Sequence, residues 1–234
     1  MLAPHLGKTW CIGEINSRFL ACMERVLWLY SLPCDPAYPV VCFDERPCFL
    51  IGEEVAPLNA KPGQVAKEHY AYTKNGSARL LAAIEPLTGR RLVHVQRQRT
   101  KREYALFLQA LAARYPAARQ IRPVRDNLNT HDASSLYETF PPEEAFALAR
   151  RFEFFYTPKS ASWLNMIEIE FSALARECPR RRIPSLEILE REVLALVTER
   201  EAKAIKITWQ FSLGKAREKL GRHYRKVREE KPLY

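Results

Sequence analysis

The sequence predicts an α/β fold in which a mixed β-sheet is flanked by helices. Short apolar runs rich in strand formers alternate along the chain with amphipathic segments of helical period. The chain has 234 residues, 47% of them hydrophobic, which suffices for one sizeable domain with its own core. A formal net charge of +10 at pH 7 indicates a polyanionic partner, most commonly a nucleic acid.

The first half of the chain is predicted to supply one helix and an antiparallel part of the sheet. Three prolines end the helical pattern, and a short apolar strand then leads to Asp44. Asn75 and Gly76 are typical of a tight turn, so the strands on either side of them are predicted to form a hairpin. The predicted elements are a helix at 17–30 and strands at 40–43, 70–74, 77–85 and 92–95.

The second half alternates strands and helices, as expected where helices cover a sheet. Pro141 and Pro142 indicate a helix start, and Ser185 is predicted to be the N-cap of the last long helix. The predicted helices span 101–115, 143–150, 164–176 and 185–201, and the predicted strands span 121–124 and 152–156. The last twenty residues form a short, basic segment.

Three acidic residues occupy positions where a catalytic site is expected. Asp44 and Asp126 each close a predicted strand, and Glu168 lies early in the helix after the last strand. Carboxylates at the carboxyl ends of neighbouring strands converge on one edge of a sheet, and clustered carboxylates suit Mg²⁺ or Mn²⁺. The alternative is that these are surface acids, since the chain has 27 Asp and Glu and most such residues are solvated.

The sequence words around these acids resemble a known family. They are CFDE at 42–45, KNG at 74–76, DNLNTH at 126–131, YTPK at 156–159, WLNMIE at 163–168 and RRIP at 181–184. Each word is weak alone, but in this order and spacing the sequence resembles the DDE transposases of bacterial insertion sequences, specifically the mariner-related IS-six-thirty family. The resemblance runs from about Trp10 to about Leu220.

The resemblance implies an RNase H-like fold, the DDE transposase catalytic core. It implies that Asp44, Asp126 and Glu168 are the catalytic residues and the ligands of two Mg²⁺ (or Mn²⁺) ions. The implied activity is metal-dependent cleavage of DNA phosphodiesters at transposon ends, followed by strand transfer into target DNA at TA dinucleotides. The implied partners are double-stranded DNA and a second copy in a homodimer, because two ends must be joined.

Several neighbours of the acids have more than one interpretation. Asn127 and His131 are candidates for contacting metal-bound water or a phosphate, and His131 is equally a candidate cap or core residue. Glu45 points to the opposite strand face and Glu170 away around the helix, so both are expected to be surface or supporting acids. Trp163 is expected to pack under the glutamate helix, with stacking on a flipped base as the alternative.

Basic residues after the third acid are predicted to contact DNA phosphates. The alternative is a solvated helix face, because charge runs usually have that role. The candidate DNA-binding residues are Arg180, Arg181, Arg182, Lys215, Arg222 and Arg225.

The chain is predicted to divide into three segments. Residues 1–36 are interpreted as a helical lead-in, the remnant of a linker after a missing helix-turn-helix region, 37–204 as the catalytic domain, and 205–234 as a basic C-terminal tail. The cysteines form no C-x-x-C pair and no apolar run approaches the ~20 residues of a membrane span, so a reduced, cytoplasmic, nucleoid-associated bacterial protein without membrane contact is expected.

Two alternatives to an active transposase remain. Arg125 stands where the family tends to place an apolar residue, and an arginine beside Asp126 would compete with metal for that carboxylate. A catalytically inactive DNA-binding remnant is therefore one alternative, and metal-dependent cleavage would distinguish the two. Another RNase H-like enzyme, such as a ribonuclease acting on hybrids, is the second alternative, and cleavage of a hybrid rather than duplex DNA would identify it.

Overall fold

A computed structural model describes residues 14–56, 58, 61–65, 69–126, 133–177 and 182–229. Within these residues five strands form one sheet in the order β3-β2-β1-β4-β5, with helices on both faces, so the predicted α/β class is confirmed. The strands are β1 Val40–Glu53, β2 Tyr72–Ile84, β3 Arg91–Gln96, β4 Arg122–Arg125 and β5 Phe155–Tyr156. The helices are α1 Ser17–Ser31, α2 Lys101–Arg114, α3 Ser134–Thr139, α4 Pro142–Ala149, α5 Ile167–Glu177, α6 Leu186–Ala202, α7 Leu213–Lys219 and α8 Gly221–Glu229.

The sheet has an antiparallel half and a parallel half that meet at β1. Strands β1, β2 and β3 form an antiparallel meander, whereas β4 pairs with β1 and β5 pairs with β4 in parallel. The parallel pairing of β1 with β4 ends at Cys42 and Val124. Residues that follow this point on both strands therefore lie at the same edge of the parallel half.

The prediction that the first strand ends at Asp44 is wrong. Strand β1 continues to Glu53, because its pairing with β2 persists through Asp44 opposite Ala82 and on to Glu53 opposite Tyr72. Only its pairing with β4 stops before Asp44. Asp44 therefore lies just beyond the last parallel pair of β1 with β4, but still within the antiparallel pairing of β1 with β2.

The predicted hairpin at Asn75 and Gly76 is also wrong. Both residues lie inside the continuous strand β2, where the register shifts and β2 carries one extra residue opposite β1. Gly76 adopts a φ of 108°, a conformation that glycine reaches without steric cost, and so accommodates this bulge. The Asn75 side chain donates a hydrogen bond of 2.8 Å to the Pro184 carbonyl, which ties the bulge to the segment before α6.

Two hydrophobic clusters lie on opposite faces of the sheet. On one face α1, α5 and α6 cover β1 and β2, with Met166 and Phe171 among the buried side chains. On the other face α2, α3 and α4 pack through residues such as Phe107 and Leu111. Each large apolar side chain buried in this way contributes about 1.5–3 kcal/mol, so both helical layers are held by burial of apolar surface. The short helix α3 was not predicted from the sequence.

The C-terminal helices pack against α1 in a third cluster. Phe19, Met23 and Leu27 of α1 are buried there with Ala216 of α7. Arg217 of α7 also donates two hydrogen bonds to Glu24 of α1, at 2.8 and 3.0 Å. The segments predicted as a lead-in and a tail thus contact each other, and the proposed division into three parts stays a prediction. None of the described helices has the length and apolar character needed to cross a bilayer.

Candidate active site

The structure brings the three predicted catalytic acids to one edge of the sheet. Asp44 lies on β1 just beyond its last pair with β4, and Asp126 directly follows the end of β4. Glu168 is the second residue of α5, which packs on β1 and β2. Two strands and one helix therefore each contribute a carboxyl group to the same region.

The three carboxyl groups are near enough to influence the protonation of Asp44. Burial above all, and then the negative charges of Asp126, Glu168 and Glu45, raise the pKa of Asp44 to about 7, against a hydrogen bond from the Glu45 amide to Asp44 Oδ1 at 2.7 Å. Asp44 is thus enclosed beside two acids from distant parts of the chain.

The donor set is chemically suited to a hard divalent cation. All three side chains offer carboxylate oxygens, which Mg²⁺ and Mn²⁺ prefer, and a cation would relieve the repulsion that disfavours the charged form of Asp44. Among the described residues, however, no three His, Cys, Asp or Glu side chains are close enough to form a preassembled metal cage. The three acids thus lie in one region without forming a closed set of ligands.

Glu45 and Glu170 have different roles from the three acids. Glu45 lies on the opposite face of β1, as predicted, where it pairs with Arg99 at 2.8 Å and Arg79 at 3.6 Å. Glu170 is not at the surface: it is 1% exposed and accepts hydrogen bonds of 2.9–3.1 Å from both Arg91 and Arg200. The face of α5 that turns away from the acids meets β3 and α6, so it faces protein rather than solvent.

The Arg125 side chain turns away from Asp126. Its Nη1 donates to the Tyr104 hydroxyl at 2.6 Å, and its guanidinium lies 5.1 Å from the ring centres of both Phe154 and Tyr156. Successive residues of a strand point to opposite faces, which places Arg125 on the α2 side of the sheet. Between described residues, Arg125 forms no ion pair with Asp126, so the expected competition with metal has no support in the structure.

Four candidate residues, Asn127, His131, Arg180 and Arg181, lie outside the described residues. Arg182 is described, and its guanidinium is used within the chain. It donates to Glu53 at 2.6 Å and to the carbonyls of Ala71 and His69, each at 2.7 Å, so it ties the segment before α6 to β1 and β2. Its predicted contact with DNA stays a prediction that these bonds do not favour.

The other basic candidates lie at the surface of the C-terminal helices. Lys215 is exposed on α7, and Arg222 and Arg225 are exposed on α8, whose apolar side chains pack in the cluster with α1. Trp163 precedes α5 and does not pack beneath it: its ring is 40% exposed and meets the edge of Phe211, at 5.4 Å between ring centres. An exposed basic face and an aromatic pair thus border the end of the molecule formed by α1, α7 and α8.

Sequence reasoning missed residues that hold the glutamate helix in place. Arg46, on the same face of β1 as Asp44, donates to the Phe171 carbonyl of α5 at 3.0 Å and lies over the Phe171 ring. Arg91, Arg200 and Asn165 also anchor α5 or the turn before it. Their partners are distant in sequence, so no local pattern identifies them, apart from Asn165, which lies in the word WLNMIE.

Comparison with solved structures shows the fold. The chain is similar to the Mos1 mariner paired end complex with Mn, at a TM-score of 0.56 and 16% identity over 99% of this chain and 69% of that chain. It is similar to the Mos1 strand transfer complex at a TM-score of 0.57 and 14% identity, over 99% and 68% of the two chains. The fold is therefore the RNase H-like fold of DDE transposases, as predicted.

Sequence comparison gives the family. No curated protein matches the chain in sequence. The model of the family described as DDE superfamily endonuclease matches residues 39–190, which include Asp44, Asp126 and Glu168. Because this model spans more than half of the sequence, the chain belongs to the DDE superfamily endonucleases.

Proposed function

We propose that this chain is the catalytic part of a DNA transposase of the mariner-related bacterial IS-six-thirty family. It would cleave phosphodiesters at transposon ends and transfer the freed strands into target DNA. The observation that carries the proposal is the convergence of Asp44, Asp126 and Glu168 at one sheet edge in a chain of the DDE endonuclease family.

Asp44, Asp126 and Glu168 would hold two divalent cations, Mg²⁺ or Mn²⁺. Such ions, when bound, activate an attacking water or hydroxyl and neutralise charge on the leaving oxygen of a phosphodiester. Mos1 structures similar in fold to this chain contain Mn or Mg, which supports the choice of metal. The three carboxylates would hold these cations at the sheet edge, and the reaction would proceed without a covalent enzyme intermediate.

The protein's own contribution would be rigid placement of these acids and binding of DNA. The sheet fixes Asp44, and the buried pairs of Glu170 with Arg91 and Arg200 hold α5, which carries Glu168. The exposed basic residues of α7 and α8 would contact the phosphates of duplex DNA. The similar Mos1 structures are paired end and strand transfer complexes, which supports DNA as partner and a homodimer that joins two ends.

Cleavage of supercoiled plasmid DNA with Mn²⁺ tests this function without knowledge of the end sequence. We expect the full chain to nick the plasmid only with Mn²⁺ or Mg²⁺, and Asp126→Ala to lower the rate at least a hundredfold while thermal unfolding and DNA binding stay near those of wild type. Glu54→Ala, which removes an exposed acid just beyond β1, is the matched control and should cleave like wild type.

Three results would contradict the proposal. Salt-sensitive DNA binding by the wild type without metal-dependent cleavage would identify the catalytically inactive DNA-binding remnant. Cleavage of an RNA–DNA hybrid in preference to duplex DNA would identify a ribonuclease with the same fold. Undiminished cleavage by Asp126→Ala would show that the three acids are not the active site.

A further inference from the structure

We propose that Asn165 is a positioning residue that links the strand carrying Asp44 to the helix carrying Glu168. The inference rests on the proposed function, because it concerns the same two acids. Asn165 itself would contact neither metal nor DNA. Its role would be to set the spacing between the backbones on which two of the three carboxyl groups are mounted.

The link consists of contacts on both sides of one buried amide. Asn165 is 1% exposed, and its Nδ2 donates a hydrogen bond of 2.8 Å to the carbonyl of Phe43, the residue directly before Asp44. Its Oδ1 accepts a longer bond of 3.4 Å from the amide of Ile167, the residue directly before Glu168. One side chain thus bridges the residues that precede two of the acids.

The backbone of Asn165 strengthens the second half of this link. The Glu168 amide donates to the Asn165 carbonyl at 3.2 Å, so side chain and main chain of Asn165 together order the first turn of α5. A displacement of Asn165 would therefore move the start of the helix and Glu168 with it.

The Phe43 carbonyl lies next to the point at which the pairing of β1 with β4 ends. Among the described residues, the last pair between β1 and β4 is Cys42 with Val124. Asn165 supplies a donor there from the turn before α5. The contact therefore fixes α5 to the position along β1 at which the carboxyl groups converge, whereas the Arg91 and Arg200 bonds to Glu170 hold the opposite side of the helix.

Two variants provide controls for the loss of this amide. Asn75→Ala removes a side-chain amide that also donates to a carbonyl at 2.8 Å, but one that joins β2 to Pro184. Leu111→Ala creates a cavity in the core on the other face of the sheet and so lowers stability without touching the acids. The first control matches the chemistry of the bond, and the second matches a loss of stability.

The experiment measures Mn²⁺ affinity of the full chain by electron paramagnetic resonance, with thermal unfolding and duplex binding on the same samples. We expect Asn165→Ala to weaken Mn²⁺ binding about tenfold, as is typical for groups that orient metal ligands, with unchanged affinity for DNA. Asn75→Ala and Leu111→Ala should bind Mn²⁺ within about twofold of wild type. Wild-type affinity in Asn165→Ala, or an equal loss in an equally destabilised Leu111→Ala, would overturn the inference.

Amide hydrogen exchange without metal separates this inference from the proposed function. In Asn165→Ala we expect faster exchange together at Glu45, whose amide bonds to Asp44, and at Glu168. If the wild type binds no Mn²⁺, the proposed function fails, but coupled exchange at these two amides would still support the link. Faster exchange at Glu168 alone would show only a loosened helix start and would overturn it.

Discussion

The Asp44 carboxyl is enclosed beside Asp126 and Glu168, and in the absence of metal this environment disfavours its charged form. Its pKa is raised to about 7, mainly by burial and then by the neighbouring acids. An acid with a raised pKa in the folded state stabilises the fold at low pH, and this stability is lost as the pH rises towards that pKa. The ionised form of Asp44, which would bind metal, therefore lowers the free energy of unfolding of the metal-free protein.

Asp44→Asn should consequently stabilise the metal-free protein at pH 8. We expect an increase in the free energy of unfolding on the order of 1–3 kcal/mol, because the amide carries no charge to bury. The increase should shrink below pH 7 and vanish near pH 4, where wild-type Asp44 is protonated. Urea denaturation in EDTA at several pH values measures it, with the exposed Glu54→Gln as control.

Saturating Mg²⁺ should reverse the order of the two proteins. Ligand that binds only the folded state stabilises it, and the variant lacks one of the proposed ligands. Wild type should therefore gain stability on addition of Mg²⁺ while Asp44→Asn gains less. A variant less stable than wild type at pH 8 in EDTA would show that the Asp44 charge is already compensated within the protein.

Glu170 shows what residue spacing leaves undetermined. Its place two residues after Glu168 correctly indicates that it points elsewhere around α5, and is compatible with a surface or a supporting position. The spacing carries no information about what lies in that direction, and the partner Arg91 is 79 positions away in sequence. Residues whose role depends on a long-range partner were missed for this reason, whereas the acids were found through local words.

At the scale of single elements, α5 is fixed by a buried cluster of charges. Burial alone would raise the pKa of Glu170, but the hydrogen bonds and charges of Arg91 and Arg200 outweigh it and hold the pKa below its ordinary value. The side chains of Glu170 and Arg91 are 2% and 1% exposed, so neither charge is stabilised by water. The cluster joins α5, β3 and α6.

Glu170→Gln should therefore cost about 3–5 kcal/mol of stability at pH 7, because two guanidinium groups lose their counter-charge and one of them is fully buried. Because the pKa of Glu170 is lowered in the folded state, its charge stabilises the fold at pH values above the ordinary pKa of a glutamate. This stabilisation is lost as the pH falls through the pKa of the folded state, so the difference in free energy of unfolding between variant and wild type should become smaller in acid. Chemical denaturation at pH 7 and at pH 3.5 measures this difference.

Glu187→Gln is the matched control for this prediction. Glu187 pairs with Arg97 at 3.3 Å, but both side chains are about 70% exposed, and such pairs contribute little. The control should leave the denaturation midpoint unchanged. A Glu170→Gln protein as stable as this control would show that the buried cluster does not hold α5.

Strand ends in this sheet depend on pairing that local sequence does not encode. Asp44 and Glu45 resemble the end of a strand, and Asn75 with Gly76 resembles a hairpin turn, yet β1 and β2 run through both sites because each supports the other. The apolar runs correctly mark where strands lie, but not where they end or that 70–74 and 77–85 form one strand. Helix starts with capping residues were also predictable, as at Ser185, whose side chain accepts from the Ile188 amide.

At the scale of the whole molecule, the proposed contact with DNA depends on where positive charge is exposed. The net charge of +10 is spread over the chain, but α7 and α8 present exposed basic residues on one surface beside α1. Composition predicted a polyanionic partner and the tail was predicted to be basic. That the tail forms two helices docked on α1 depends on contacts such as that of Arg217 with Glu24, about two hundred positions apart.

Replacing Arg222 and Arg225 together by Ser should change the salt dependence of duplex binding. Each phosphate contact contributes about 0.9 to the slope of log affinity against log salt, so two lost contacts should reduce that slope by about 1.8. Fluorescence anisotropy of a labelled duplex, recorded between roughly 50 and 300 mM NaCl, measures the slope. Mn²⁺ affinity should stay at the wild-type value, because neither residue is one of the proposed metal ligands.

The double variant Arg119→Ser with Arg150→Ser removes the same charge from exposed positions outside α7 and α8. If net charge alone attracted DNA, both double variants would weaken binding equally. If α8 forms the DNA-contacting surface, only the variant with Arg222 and Arg225 replaced should lower the slope, and the control should keep the wild-type slope. Equal slopes in wild type and both variants would place the DNA-binding surface elsewhere, and the candidates at 180–182 would then be tested next.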